Sequence, residues 1–264
     1  ALGQKVDFHE GRGPILGPIT DSKNLIIDES RWREVLSPIF KTLSILSQKK
    51  KNKTLIGFCG SPFTVFTYMI EGGTSKDHFI TKRYIIENPI QTKKIIDKLV
   101  DISIWYLNEQ IKHGADIIQL FDSWSGILDG ELHDTLIINP NKRIINKIKE
   151  KNKNTPIIFF PKGSSLKYQK IVSKIDLDGL SLDLDVQDRD LNMLIQKKIV
   201  LQGNLDPVRL LVGGMQLEKS VIQILERFKN KEFIFNLSHG ILPQTPIGNV
   251  ERTIELVRNY EYSN

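Results

Sequence analysis

The run Ile117-Ile118-Gln119-Leu120-Phe121 passes directly into Asp122-Ser123-Trp124-Ser125-Gly126, and this junction decides the fold. Apolar along its length and stopped by polar and small residues, it predicts a buried strand whose carboxyl end carries hydrogen-bonding groups. Just ahead, Pro89–His113 repeats Ile95, Leu99, Ile102 and Tyr106 at helical spacing, widened by Ile96, Val100 and Leu107, with Lys94 and Lys98 on the wet side. The alternation continues in both directions. Strands are predicted at 55–60, 116–122, 156–162, 179–183, 199–206 and 233–239, and further helices at 132–150, 166–174, 188–197, 217–230 and 249–258.

Strands that alternate with helices form right-handed parallel units, and strands this apolar are covered on both faces. An open doubly wound sheet and a (β/α) barrel both satisfy the pattern. The open sheet calls for a glycine-rich phosphate turn after an early strand. Gly72-Gly73 and Gly213-Gly214 do not form one, and no Walker-type lysine motif occurs, so the barrel is favoured. In a barrel the polar strand ends share one rim: Gly60-Ser61-Pro62, Asp122-Ser123-Trp124, Pro161-Lys162-Gly163, Asn204-Leu205-Asp206 and Ser238-His239-Gly240. A complete barrel has eight strands, and six are read here. The front, from Asp7 to Phe40, reads as a loop leading into a helix over 30–46 that Ser30 would cap. The expected fold is therefore α/β, a (β/α)8 TIM barrel missing about the first two strands, as one N-terminally incomplete domain over residues 1–264.

Composition sets the outer limits. With 264 residues, 40% hydrophobic and 26% charged, the chain can bury a core and is neither disordered nor a disulfide scaffold. The lone cysteine, Cys59, forms no intrachain bridge and fits a reducing compartment. No apolar stretch is long enough for a bilayer and the first residues hold no signal-peptide core, so the expectation is a soluble, cytoplasmic protein without a membrane partner. The net charge of +6 favours an anionic ligand. The lysine-rich stretches at 49–53 and 142–153 are interleaved with Asn and Ile, not aromatics, and read as solvated helix ends; no nucleic-acid partner is expected.

Four motifs point further. Ile56-Gly57-Phe58-Cys59-Gly60-Ser61-Pro62-Phe63-Thr64 with Thr67-Tyr68-Met69-Ile70-Glu71-Gly72-Gly73, then Gln119-Leu120-Phe121-Asp122-Ser123-Trp124-Ser125-Gly126, then Leu201-Gln202-Gly203-Asn204-Leu205-Asp206-Pro207, then Asn236-Leu237-Ser238-His239-Gly240-Ile241-Leu242-Pro243 resemble, in order, the uroporphyrinogen decarboxylase family. The resemblance runs through nearly the whole chain. It implies a cofactor-free, metal-free (β/α)8 barrel, a homodimer when full-length, that converts uroporphyrinogen III to coproporphyrinogen III by removing four acetate carboxyl groups as CO2 in porphyrin and haem biosynthesis. By motif, Tyr68, Ser123 and His239 match the family's substrate-contacting tyrosine, serine and histidine. The family's arginine pair and the aspartate of its Phe-Ser-Asp segment find no match: the chain begins with what resembles the part that follows them. The carboxy-lyase is thus expected to lack those groups, and the alternative is a catalytically incompetent fragment that only binds porphyrin or associates with partner chains.

Other residues have more modest expectations. Phe121 and Phe58 are candidates to line the pocket, although core filling serves them equally well. Lys162 and Arg12 sit near rim segments and are read as solvated charges. Asp183 and Asp206 are expected to fix loops, and Cys59 to be buried and inert. Ser123 and His239 invite a hydrolase reading, but Ser123 is not in a GxSxG elbow. A barrel methyltransferase would use a zinc site of His and Cys; His9, His78, His113 and His133 are scattered and Cys59 has no neighbouring histidine motif.

Overall fold

All six expected strands are present in a computed structural model that describes residues 1–9, 13–73 and 75–260; Arg12 lies outside the described residues. The chain divides into two compact units, 1–161 with 174–176, and 162–173 with 177 onward.

The first unit opens with an antiparallel hairpin of β1 (Val6–His9) and β2 (Gly13–Leu16), in register Val6↔Leu16. No strand was expected there, although Val6-Asp7-Phe8-His9 alternates apolar with polar, the period of a half-buried strand. Helix α1 (Glu29–Lys49) follows and buries Trp32, Phe40 and Leu43. Its cap is Asp28, whose carboxylate accepts from the Ser30 amide at 2.9 Å and the Ser30 hydroxyl at 2.6 Å, so Ser30 lies inside the helix and is not its cap.

Three parallel strands build the unit's sheet: β3 (Ile56–Gly60), β4 (Ile117–Asp122) and β5 (Ile157–Pro161), in register Ile56↔Ile117 and Ile118↔Ile157. Between β3 and β4 run α2 (Pro62–Glu71), α3 (Phe79–Glu87) and α4 (Pro89–Lys112). Between β4 and β5, α5 (Gly130–His133) passes through a π-helical turn, Asp134–Ile138, into α6 (Asn139–Lys151). The stripe read on α4 packs inward, with Ile95, Ile96, Leu99, Val100 and Leu107 buried. Lys98 is not on a wet face: it is half-buried and donates to the Ser22 carbonyl at 2.6 Å.

Apolar content did not guarantee cover on both faces. β5 is buried throughout, but Ile56 and Phe58 of β3 are 40% and 61% exposed. On β3 the Gln110 side chain from α4 takes the place of a neighbouring strand at one residue. Its Oε1 accepts from the Phe58 amide and its Nε2 donates to the Phe58 carbonyl, each at 2.9 Å. The amide reaches Phe58 across Gly57, where a Cβ would stand 2.7 Å from Gln110 Oε1, 2.9 Å from Ala115 Cβ and 3.0 Å from Ile118 Cδ1; only glycine leaves that passage open.

The second unit repeats the scheme with α7 (Tyr168–Lys174), β6 (Gly179–Ser181), α8 (Asp188–Gln196), β7 (Val200–Leu205), α9 (Pro207–Val212), α10 (Gly214–Arg227), β8 (Phe233–Leu237) and α11 (Ile247–Arg258). Its strands are parallel, in register Gly179↔Val200 and Leu201↔Phe233. Leu205, Leu210, Leu217, Val221 and Leu225 form its buried core, against which Phe235, Val250 and Val257 pack. Burial of such a side chain stabilises by roughly 1.5–3 kcal/mol. The Phe228 and Phe233 rings stack at 4.0 Å.

Candidate active site

The junctions after the strands carry the site residues, and in the first unit one hydroxyl joins two of them. Ser61 precedes α2, Pro62 begins it, and Gly72 at φ +76° ends it, the start and stop signals of a short helix. Thr64 and Tyr68 are one turn apart on this helix. The Thr64 hydroxyl accepts the Ser123 amide at 2.8 Å and donates to Asp122 Oδ1 at 2.7 Å. It thereby ties α2, which carries Tyr68, to the end of β4, which carries Ser123.

Asp122 is fully buried, and its Oδ2 has no donor in hydrogen-bonding geometry. Burial pushes its carboxyl up to about 7, against the opposing pull of Thr64, the Trp124 backbone and Asn141. The Tyr68 and Trp124 rings lie 6.2 Å apart, and the His78 ring approaches Trp124 to 4.3 Å. Nearby, Ser125 Oγ and His133 Nε2 are 3.2 Å apart, both buried, which pins the loop after β4 to α5.

Tyr68 and Phe121 line a cavity of about 510 Å3 in this unit, together with Cys59, Thr64, Leu99 and Tyr106. Phe58 does not line it, though its ring is 6.2 Å from that of Phe121. Burial pushes the Cys59 thiol up to about 11, so at neutral pH it is protonated and a poor nucleophile.

His239 belongs to the second unit, just beyond β8. The Gly240 N–H donates to its Nδ1 at 2.6 Å, which places the ring proton on Nε2 and leaves a neutral imidazole that can donate. Burial and the Lys162 charge hold its pKa below the usual histidine range, with Asp183 opposing. Lys162 itself is half-buried rather than solvated, and burial lowers its pKa. Asp183 fixes a loop as expected, accepting from Gly163 N at 2.8 Å, Ser164 N at 3.2 Å and Tyr168 Oη at 3.0 Å. Asp206 caps α9 through Val208 N at 2.8 Å.

Sequence reading missed Thr64 and Tyr168 as organisers. The first was hidden in an apolar run. The second is a buried tyrosine whose hydroxyl both donates to the Asp183 carboxylate and accepts the Asp183 amide at 2.7 Å, a pairing no local pattern announces. Among the described residues no group of three or more His, Cys, Asp or Glu side chains is placed to hold a metal ion.

Comparison with solved structures shows the fold. A methyltransferase from Methanosarcina mazei superposes with a TM-score of 0.75 at 16% identity, over 96% of this chain and 74% of that one. A B12-independent methionine synthase from Shewanella sp. W3-18-1 gives 0.58 at 14% identity, over 97% and 74%. Sequence relatives are much nearer. A protein named uroporphyrinogen decarboxylase from Rickettsia bellii is 39% identical over 99% of this chain and 77% of its own length. Namesakes from Rickettsia africae and Rhodospirillum rubrum are 42% and 38% identical, over 100% and 98% of this chain and 76% and 75% of theirs. The family profile described as Uroporphyrinogen decarboxylase (URO-D) matches residues 1–260. With the β/α repeat and the motif-bearing strand ends in place, the chain belongs to the uroporphyrinogen decarboxylase family.

Proposed function

We infer that the protein is a cofactor-independent carboxy-lyase that decarboxylates the four acetate side chains of uroporphyrinogen III, giving coproporphyrinogen III in porphyrin and haem biosynthesis. The family match across residues 1–260 is the observation that carries this reading. A net charge of +6 suits a substrate bearing eight carboxylates.

Each decarboxylation needs an electron sink. Protonation of a pyrrole ring carbon makes an iminium-like cation. The C–CO2 bond then breaks, its electron pair neutralises the cation as an exocyclic methylene, and proton return to that carbon with loss of the ring proton leaves a methyl group. Groups that favour the cation act most strongly where water is excluded, and the apolar wall formed by Phe121, Leu99 and Tyr106 supplies such surroundings. Tyr68, Ser123 and His239 are proposed to contact substrate, Tyr68 and Ser123 as hydroxyl groups and His239 through its Nε2–H. Phe121 and Phe58 are proposed to face the macrocycle. We further propose one functional domain, a cytoplasmic location, and a homodimer for the full-length enzyme; no described helix is long and apolar enough to cross a membrane.

The arginine pair and the Phe-Ser-Asp aspartate are not among the 264 residues, so turnover by this chain alone is expected at background level. Joining the leading segment of the Rickettsia bellii relative ahead of Ala1 should yield coproporphyrinogen from uroporphyrinogen. In that chimera Tyr68→Phe and His239→Ala should each lower turnover, by about tenfold or more for the lost hydrogen bond. A folded chimera that releases no CO2 would refute the decarboxylase reading, and unchanged kinetics in both variants would refute the site assignment.

A further inference from the structure

Residues 162–164 form a turn that the Asp183 carboxylate holds shut. Oδ1 accepts from Gly163 N at 2.8 Å, and Oδ2 from Ser164 N at 3.2 Å and Tyr168 Oη at 3.0 Å. Gly163 permits the turn with φ +74°. The anchor is itself held: Tyr168 is fully buried and its hydroxyl accepts Asp183 N at 2.7 Å, while Asn204 Nδ2 donates to the Asp183 carbonyl at 2.8 Å. A carboxylate engaged by three donors serves as a structural clamp.

The side chain this turn presents is Lys162, half-buried and near enough for its charge to act on His239. Partial burial of an ammonium group is unfavourable unless an anion or acceptor offsets the lost hydration. The same neighbourhood contains the His239 ring, whose Nδ1 is taken by Gly240 N–H and whose proton therefore sits on Nε2. An ammonium group and an imidazole N–H, both on rigid strand-end turns of one unit, suit a carboxylate ligand.

We propose that Lys162 binds a carboxylate of the substrate beside His239, and that Asp183 is the positioning residue that fixes the Lys162 turn through Gly163, Ser164 and Tyr168. This deepens the reading of the protein as a uroporphyrinogen decarboxylase and rests on it. Arginine at 162 would keep the charge and retain binding, whereas a neutral side chain would lose it.

Binding by the 264-residue chain tests this without requiring turnover. The probes are uroporphyrin III, the stable oxidised octacarboxylate, and coproporphyrin III, in which methyl groups replace the acetates, each followed by fluorescence titration. Lys162→Met and Lys162→Gln should weaken uroporphyrin binding by about tenfold or more, as expected for a lost charge-assisted hydrogen bond, while Lys162→Arg stays near wild type. Asp183→Asn should give a smaller loss. Thermal melts identify the folded variants, and the glutamine variant stands in if methionine does not fold. A loss confined to uroporphyrin assigns Lys162 to an acetate, and a loss for both macrocycles assigns it to a propionate. Uroporphyrin affinity unchanged in a folded neutral variant would overturn the Lys162 proposal and leave the decarboxylase reading standing. A wild-type chain that binds neither macrocycle would overturn both.

Discussion

Asp122 carries the clearest pH signature of any residue in the first unit. In the unfolded chain its carboxyl ionises near 3.8, whereas in the folded protein it keeps its proton up to about 7 because it is fully buried and no cation compensates. Between these values the folded state binds more protons than the unfolded one, so stability is greatest at the acid end and falls as pH rises through the window, by about 4 kcal/mol from this group. Asp122→Asn removes the titration and keeps an oxygen for the Thr64 hydroxyl. Denaturant unfolding at pH 5 and pH 8 should show a smaller loss across the interval in the variant than in wild type; equal losses would mean that Asp122 is already ionised when folded. At this scale the sequence made some roles plain and concealed others. Asp183 and Asp206 sit at strand ends where a short carboxylate meets free backbone N–H groups, so loop fixing could be read directly. The burial of Lys162 could not, because it depends on groups brought to it by Tyr168 and Asp183 from elsewhere in the fold.

Among the elements, the six parallel strands and the long α4 were legible because their apolar patterns are uninterrupted. The β1–β2 hairpin is too short to stand out, and Pro14 within it argued against a strand. Helix α2 escaped notice because Phe63, Phe66, Met69 and Ile70 are all buried, so no polar face marks the helical period; its proline start and glycine stop were the usable signs. The joint between β3 and α4 is the element-level feature most open to test. Gly57→Ala would put a methyl group against Gln110, Ala115 and Ile118 at once, and should cost about 1–3 kcal/mol as the helix or strand shifts. Equilibrium unfolding measures it, and a neutral substitution would mean that Gln110 can leave the Phe58 backbone without penalty.

For the molecule as a whole, the apolar surface of β3 governs behaviour in solution. Phe58 is 61% exposed on a strand at the margin of its sheet, and such margins promote self-association. Phe58→Lys should lower the concentration-dependent light scattering of the 264-residue chain and raise its soluble limit severalfold, since an edge lysine is a common protection. Scattering unchanged by the substitution would place the adhesive surface elsewhere.

The amide of Gln110 modifies what that margin can accept. Because it already satisfies both main-chain groups of Phe58, a second polypeptide aligning along β3 meets a rail with its middle rung occupied. Docking there must either evict a side chain anchored in α4 or skip one register position. Hydrogen exchange at the Phe58 amide would therefore be slow in the isolated molecule, and a tightly bound neighbour would announce itself first by what happens to Gln110.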